Sequence, residues 1–260
     1  MQKQETLSYE EQFADQGVGF SPYTLWSTGI VPAQTLLKVD SYSLACVPYQ
    51  FSMRKAVLMG ALSQDEIVFF QRYKGALAGL ALSFQKAQDR TPIKVFCRCQ
   101  LDTLGMWKGR EGVGLFAFSW KPIPPDLVQI LGDYHLSIER LRLQYDDLKG
   151  KSIQIGPEAA KKLGYNNYAV MTLDGVQHKL AVFSLGASQA EFLLPLKSPD
   201  LAEGASFSLS LAFIRYRFAL KGRILKAERL PSGVQKVKAG LEFSPELVEL
   251  VSEYFFSSRR

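Results

Sequence analysis

The stretch Ile93-Lys94-Val95-Phe96-Cys97-Arg98-Cys99-Gln100-Leu101 puts Ile93, Val95, Cys97, Cys99 and Leu101 at alternate positions. Side chains two residues apart share one face of an extended chain, so these five build one apolar surface and predict a half-buried strand. Outward from it, residues 77–84 and 114–120 are short apolar runs of the same kind, and patchier strand character covers residues 36–47 and 51–59. Ser63-Gln64-Asp65-Glu66 has the form of a capping box, in which the serine oxygen and the glutamate each satisfy a free backbone N–H. It predicts a helix of about three turns ending near Gly75. After Trp120 the cluster Pro122-Ile123-Pro124-Pro125-Asp126 stops the sheet, because proline has no N–H for a ladder. A short helix over residues 125–131, closed by Gly132, is expected next.

The second half repeats this style. Residues 153–155 begin a strand, and the run from Pro157 to Gly164 predicts a two-turn helix, with proline at its first position and glycine past its end. Strand-like runs follow at residues 169–173, 179–183, 191–196, 206–213, 217–228 and 237–243. Asp174-Gly175, Ser198-Pro199-Asp200 and Pro231-Ser232-Gly233 supply turns between most of them. Six short antiparallel strands over about 90 residues mean a barrel or a sandwich. Ser244-Pro245-Glu246 then starts a helix whose Leu247, Leu250, Val251, Tyr254 and Phe255 form an apolar stripe. The chain divides near residues 132–136. Residues 136–148 form a linker too poor in glycine, serine and proline to be floppy. Three parts result: an N-terminal segment, 1–34, of unassigned role, a domain at 35–135 and a domain at 136–260.

The 260 residues are 47% hydrophobic and 22% charged, an ordinary globular balance. No uncharged apolar run approaches the ~18 residues of a membrane helix. Glu5, Glu10, Glu11 and Asp15 take the place of a signal peptide's apolar core. Cys46, Cys97 and Cys99 are too few for a disulfide framework and fit a reducing cytoplasm. Cys97 and Cys99 could form half a zinc site, but only His135 and His178 exist to complete it, so small strand residues and no metal are expected. Both histidines are expected at the surface or as caps. The sequence contains no G-x-S-x-G, H-E-x-x-H, G-x-x-x-x-G-K-[ST] or G-x-G-x-x-G, and an enzyme is not expected. Lys and Arg number 31 against 25 Asp and Glu, a formal +6. Two clusters, Arg140 to Lys151 and Arg215 to Arg223, alternate basic with apolar residues, which in a strand puts the charges on one face.

The second half resembles a PilZ domain, the small β-barrel with which bacteria bind cyclic di-GMP. Arg140-Leu141-Arg142-Leu143-Gln144-Tyr145 stands where that family has its R-x-x-x-R stretch. Ser184-Leu185-Gly186-Ala187-Ser188-Gln189-Ala190-Glu191-Phe192 stands at its signature D/N-x-S-x-x-G turn, and the stretches from Phe218 to Ile224 and from Gly240 to Phe243 stand at its later strands. The first half resembles the companion domain found ahead of PilZ in spirochaete two-domain proteins, through Leu62-Ser63-Gln64-Asp65-Glu66, Phe69-Phe70, Lys74-Gly75 and Pro124-Pro125-Asp126-Leu127. The resemblance implies a mainly β fold: two PilZ-like, split-barrel domains in tandem with short flanking helices.

It also implies a non-enzymatic signalling protein of the cytoplasm, with cyclic di-GMP as ligand in place of a cofactor and a protein partner in motility or envelope control. Nucleotide held between the arginine stretch and the barrel would fix the two domains' orientation. The nucleotide-binding candidates are Arg140, Arg142, Gln144, Ser184, Gly186, Ser188, Gln189, Arg215, Arg217 and Gly222. The family's second arginine falls on Gln144, and its Asp, Ser and Gly fall on Ser184, Gly186 and Gln189. An amide replaces only part of what a guanidinium does for a phosphate. The alternative is therefore a degenerate adaptor that has lost the nucleotide and works by protein contacts. A single-stranded nucleic-acid binder, suited by Arg215-Tyr216-Arg217-Phe218, is less favoured because of the 25 acidic residues.

Overall fold

Eight strands of the first half pair into one antiparallel sheet in the computed structural model, which describes residues 9–86, 91–195, 200–214 and 217–257. They are β1 (Val18–Gly19), β2 (Leu36–Val39), β3 (Tyr42–Ala45), β4 (Val47–Phe51), β5 (Lys55–Ala61), β6 (Leu77–Phe84), β7 (Ile93–Met106) and β8 (Val113–Trp120). The alternating stretch opens β7 and pairs along β6, with Cys97 opposite Leu80 and Cys99 opposite Ala78. Val95, Cys97, Cys99 and Leu101 are all buried. The alternation ends at Leu101 because the register shifts between Leu101 and Thr103, a bulge beyond which the strand continues to Met106.

The hydrogen-bonded order is β1-β4-β5-β8-β7-β6-β2-β3. Only Cys46 separates β3 from β4 in the chain, yet they are six places apart in the sheet, about 29 Å if it were flat. The sheet therefore curls until its edges approach, around Phe51, Phe70, Phe116 and Phe118, each at most 1% exposed. The expected barrel is right in curvature but not in closure, since the ladder has two ends.

Helices α1 (Pro22–Thr28) and α2 (Gln64–Arg72) belong to this unit. The capping box is formed: Glu66 N–H donates to Ser63 Oγ at 3.3 Å, and Ser63 N–H donates to Glu66 Oε2 at 2.6 Å. Burial pushes the thiols of Cys46, Cys97 and Cys99 up to about 12, so they behave as small core residues. No metal-holding group of three or more His, Cys, Asp or Glu occurs among the described residues.

The largest departure from expectation is α3, one helix over Pro125–Leu148 where a short helix and a linker were predicted. Residues 136–148 are mostly leucine, arginine, glutamine and acidic residues with no proline or glycine, so nothing stops the helix before Gly150 (φ +80°). Gly132 is no stop. It gives the Tyr9 ring room to approach, since a Cβ there would sit 2.1 Å from the ring. Alanine favours a helix interior by about 1 kcal/mol. Gly132→Ala is nonetheless expected to lower the unfolding midpoint and increase proteolysis near Tyr9; a midpoint that rises contradicts this contact.

His135, expected at a surface, is buried on α3 and stacks on Phe13 with ring centroids 4.8 Å apart. Burial holds its pKa below the ordinary 6.5. The unfolded chain takes up that proton more readily, so stability is full above about pH 6.5 and falls as pH drops through it. Denaturant unfolding at about pH 7.5 and about pH 5.5 is expected to show this loss, and His135→Phe to reduce it. An unchanged slope in that variant would place the titrating group elsewhere.

The chain divides into units Met1–Ser137 and Ile138–Arg260. The second contains β9 (Ser152–Gln154), β10 (Tyr165–Leu173), β11 (Val176–Lys179), β12 (Ala181–Gly186), β13 (Gln189–Leu194), β14 (Ser206–Phe213), β15 (Arg217–Arg229) and β16 (Gln235–Leu241). Helices α4 (Pro157–Leu163) and α5 (Pro245–Ser257) complete it. The order is β11-β10-β14-β15-β16-β13-β12-β9. The strand expected at residues 179–183 is broken at Leu180, whose flanking strands β11 and β12 again stand six places apart. This sheet too curls without closing. Helix α5 buries Leu247, Val248, Leu250 and Val251 as the stripe predicted. Among the described residues, no helix is long and apolar enough to cross a membrane.

Candidate functional site

Three ladders of the second sheet set four residues in one row. Gln189 of β13 lies opposite Gly240 of β16, Gly240 opposite Arg223 of β15, and Arg223 opposite Ser206 of β14. Directly opposed residues project to the same side, here the exposed one, and Gly240 leaves a gap between Gln189 and Arg223. A bulge between Ile224 and Lys226 turns Leu225 over this gap, 3.5 Å from where a Gly240 Cβ would be. Leu225 stays 47% exposed, so it offers an apolar platform beside a cation. Lys221, opposite Ser208, and Lys238 of β16 extend the same face. Lys221, Arg223 and Lys238 have no ion pair among the described residues, whereas Lys226 is tied to Glu228 at 3.2 Å.

The turn between β12 and β13 borders this row. Leu241 N–H donates to Ser188 O at 2.8 Å, fixing the turn against the end of β16. Two residues on, Phe243 receives the Arg142 guanidinium at 4.7 Å from its ring centre and the Tyr145 ring edge-on at 5.5 Å. Such a cation–π contact contributes about 0.5–1 kcal/mol at an exposed site and holds the arginine in place.

The candidates do not all gather here. In a helix, residues two apart lie about 200° apart, so Arg140 and Arg142 are on opposite flanks of α3, not on one face of a strand. Arg142 takes the Phe243 side. Arg140 shares the other flank with Gln144, which lines a cleft toward α5. Ser184 is turned inward at 3% exposure. Gly186 is needed by the backbone, since a Cβ there would meet Lys151 O at 2.4 Å. Gly222 is buried, and a Cβ there would lie 2.5 Å from Gly240 O. Ser188 and Gln189 remain at the face. Arg217 lies opposite Ala212, about 17 Å along β15 from Gly222. Arg215 falls outside the described residues.

Sequence reasoning gave no site role to Leu225, Lys238, Phe243 or Tyr145. The Gly240-to-Phe243 stretch was the one signal pointing toward them. The arrangement suits a ligand with phosphates and planar rings: guanidinium and ammonium groups for the oxygens, and Leu225, seated over Gly240, for a ring face.

The PilZN3 domain family model matches residues 4–135, about half of the chain, which bears out the family read from the first half of the sequence. The solved structures it is similar to include the Borreliella burgdorferi PlzA protein in complex with c-di-GMP, with a TM-score of 0.49 and 13% identity over 98% of this chain and 100% of that one. Escherichia coli YcgR in complex with c-di-GMP has a TM-score of 0.33 and 13% identity, covering 98% and 91%. The Bacillus subtilis inhibitor of motility MotI/DgrA has a TM-score of 0.31 and 9% identity, covering 89% and 98%. No curated protein matches the chain in sequence.

Proposed function

The chain belongs to the PilZN3 domain family, and on that premise we propose that its second unit is a PilZ-type, non-enzymatic receptor for cyclic di-GMP. The ligand sits on the exposed face of β13, β16 and β15. The observation that carries this is the row Gln189–Gly240–Arg223, a glycine floor overlain by Leu225, with an amide on one side and, on the other, a guanidinium that has no ion pair among the described residues. Arg223 and Arg142 fork onto the phosphates, Lys221 and Lys238 add attraction, and a guanine ring lies on Leu225. The receptor works in the cytoplasm and passes the signal to a protein partner in motility or envelope control. Equilibrium dialysis of labelled cyclic di-GMP against the whole chain, with GMP as competitor, tests it. Retention at micromolar ligand that GMP does not displace supports the receptor; no retention at high ligand ends it.

One observation favours the adaptor reading. Gln144, at the family's second arginine, lies on the flank of α3 opposite Arg142, so no second helix guanidinium reaches the face. A chain that retains no nucleotide yet remains active in cells would establish that reading instead.

A further inference from the structure

A second concavity opens in the same unit, on the far flank of α3. Gln144, Asp147 and Lys151 line one side and Phe255 and Phe256 the other, around a hollow of about 190 Å³ floored by Leu148. Phe256 is 64% exposed, and Leu143, one turn before Asp147 on α3, is 69% exposed. An exposed Phe256 at the mouth of this hollow, with Leu143 exposed one turn from Asp147, is the kind of apolar surface that binds protein.

The rim says what kind of protein segment fits. Glu253 and Glu249 precede Phe256 on α5 by three and seven residues, which places both beside it on the helix surface. Burial raises the pKa of Glu249, and the nearby Glu253 and Glu246 raise it further. Asp147 lines the hollow itself, while Glu249 and Glu253 stand beside it next to Phe256, and none of the three has an ion pair among the described residues. Lys151 is the opposing charge on the wall. Most of the chain's formal +6 lies in this second unit, so the ridge is an acidic exception on a basic body.

We propose that this cleft docks a protein partner through a segment that inserts one large apolar side chain between Leu148 and Phe256 and sets flanking lysines or arginines against Asp147, Glu249 and Glu253. The hollow has room for a single such side chain, and the charges are complementary. The site shares one stretch of helix with the nucleotide face, since Arg142 and Tyr145 leave α3 on one flank and Gln144 and Asp147 on the other. It thus names the output of the proposed receptor. Its purpose rests on that reading, but its geometry does not.

The test uses the intact chain without nucleotide. Displayed random peptides of about 12 residues are selected on it, then synthesised and titrated by fluorescence anisotropy. The selected peptides are expected to carry Phe, Leu or Met next to Lys or Arg. They are expected to lose about tenfold or more in affinity for Phe256→Asp and for Asp147→Lys, both exposed enough to leave the thermal midpoint unchanged. Failure to select any peptide, or binding undiminished in both variants, overturns the proposal. So does self-association lost in Phe256→Asp, which makes a second copy the occupant, or binding that appears only after residues 258–260 are deleted, which makes it the chain's own end. Peptide binding with no nucleotide binding would remove the receptor and leave the docking site.

Discussion

Arg223→Ala is expected to weaken cyclic di-GMP binding about ten- to a hundredfold, while Arg140→Ala leaves it within about threefold. The first figure follows from losing one charge-assisted hydrogen bond, about 1.5–3 kcal/mol. The contrast follows from geometry. Arg223 stands in register with Gly240 and Gln189, with no ion pair to break among the described residues. Arg140 holds the family's motif position but projects from the opposite flank of α3 to Arg142. Isothermal titration of the two variants checks this. Loss of affinity in Arg140→Ala alone would mean that motif position, not sheet register, chooses the ligand arginine. Arg223→Lys separates charge from shape: an ammonium keeps the attraction and loses the two-pronged contact, so an intermediate affinity is expected.

Gly222→Ala is expected to destabilise the second unit by about 3 kcal/mol, lowering its thermal midpoint by roughly 10 °C. The new Cβ would lie 2.5 Å from Gly240 O and 2.7 Å from the Phe207 ring, between two paired strands that cannot separate without breaking the β15–β16 ladder. Because Gly240 also lies in the proposed ligand face, the substitution should weaken binding even where the protein remains folded. Gly156→Ala is the control, since nothing lies within 4 Å of a Cβ there; at the N-cap of α4, where alanine is a poorer cap than glycine, it should cost no more than about 1 kcal/mol. Equal midpoints for the two variants would contradict the close packing at Gly222.

Much of the fold was legible because its signals are local. The Ser63 capping box, the period-two run in β7 and the Pro157-to-Gly164 helix each depend on residues within a few positions of one another, and each forms as expected. Helix α3 was misjudged at Gly132 and along residues 136–148. There a glycine that reads as a stop serves the approach of Tyr9, 123 positions away in sequence, a contact invisible to local rules. Reading residues 140–151 as extended then put Arg140 and Arg142 on one face, where a helix sets them apart.

The site was less legible for a related reason. Its members come from four strands and a helix, and which residues face one another is decided by register, including the bulge after Ile224. A motif pointed to Gln189 and Ser188, which lie on the proposed face. Lys238 and Leu225 have no motif: Lys238 shares Gly240's face by alternation along β16, and only the pairing of β15 with β16 brings Leu225 to Gly240. Ser184 shows the reverse case: motif alignment chose it, and strand alternation turned it inward.

The most direct test of the nucleotide face is amide chemical-shift mapping of the isotopically labelled whole chain during addition of cyclic di-GMP. Saturable shifts centred on Gln189, Gly240 and Arg223, and reduced in Arg223→Ala, are the result this account predicts. Shifts confined to other parts of the chain, or none at millimolar ligand, would contradict it.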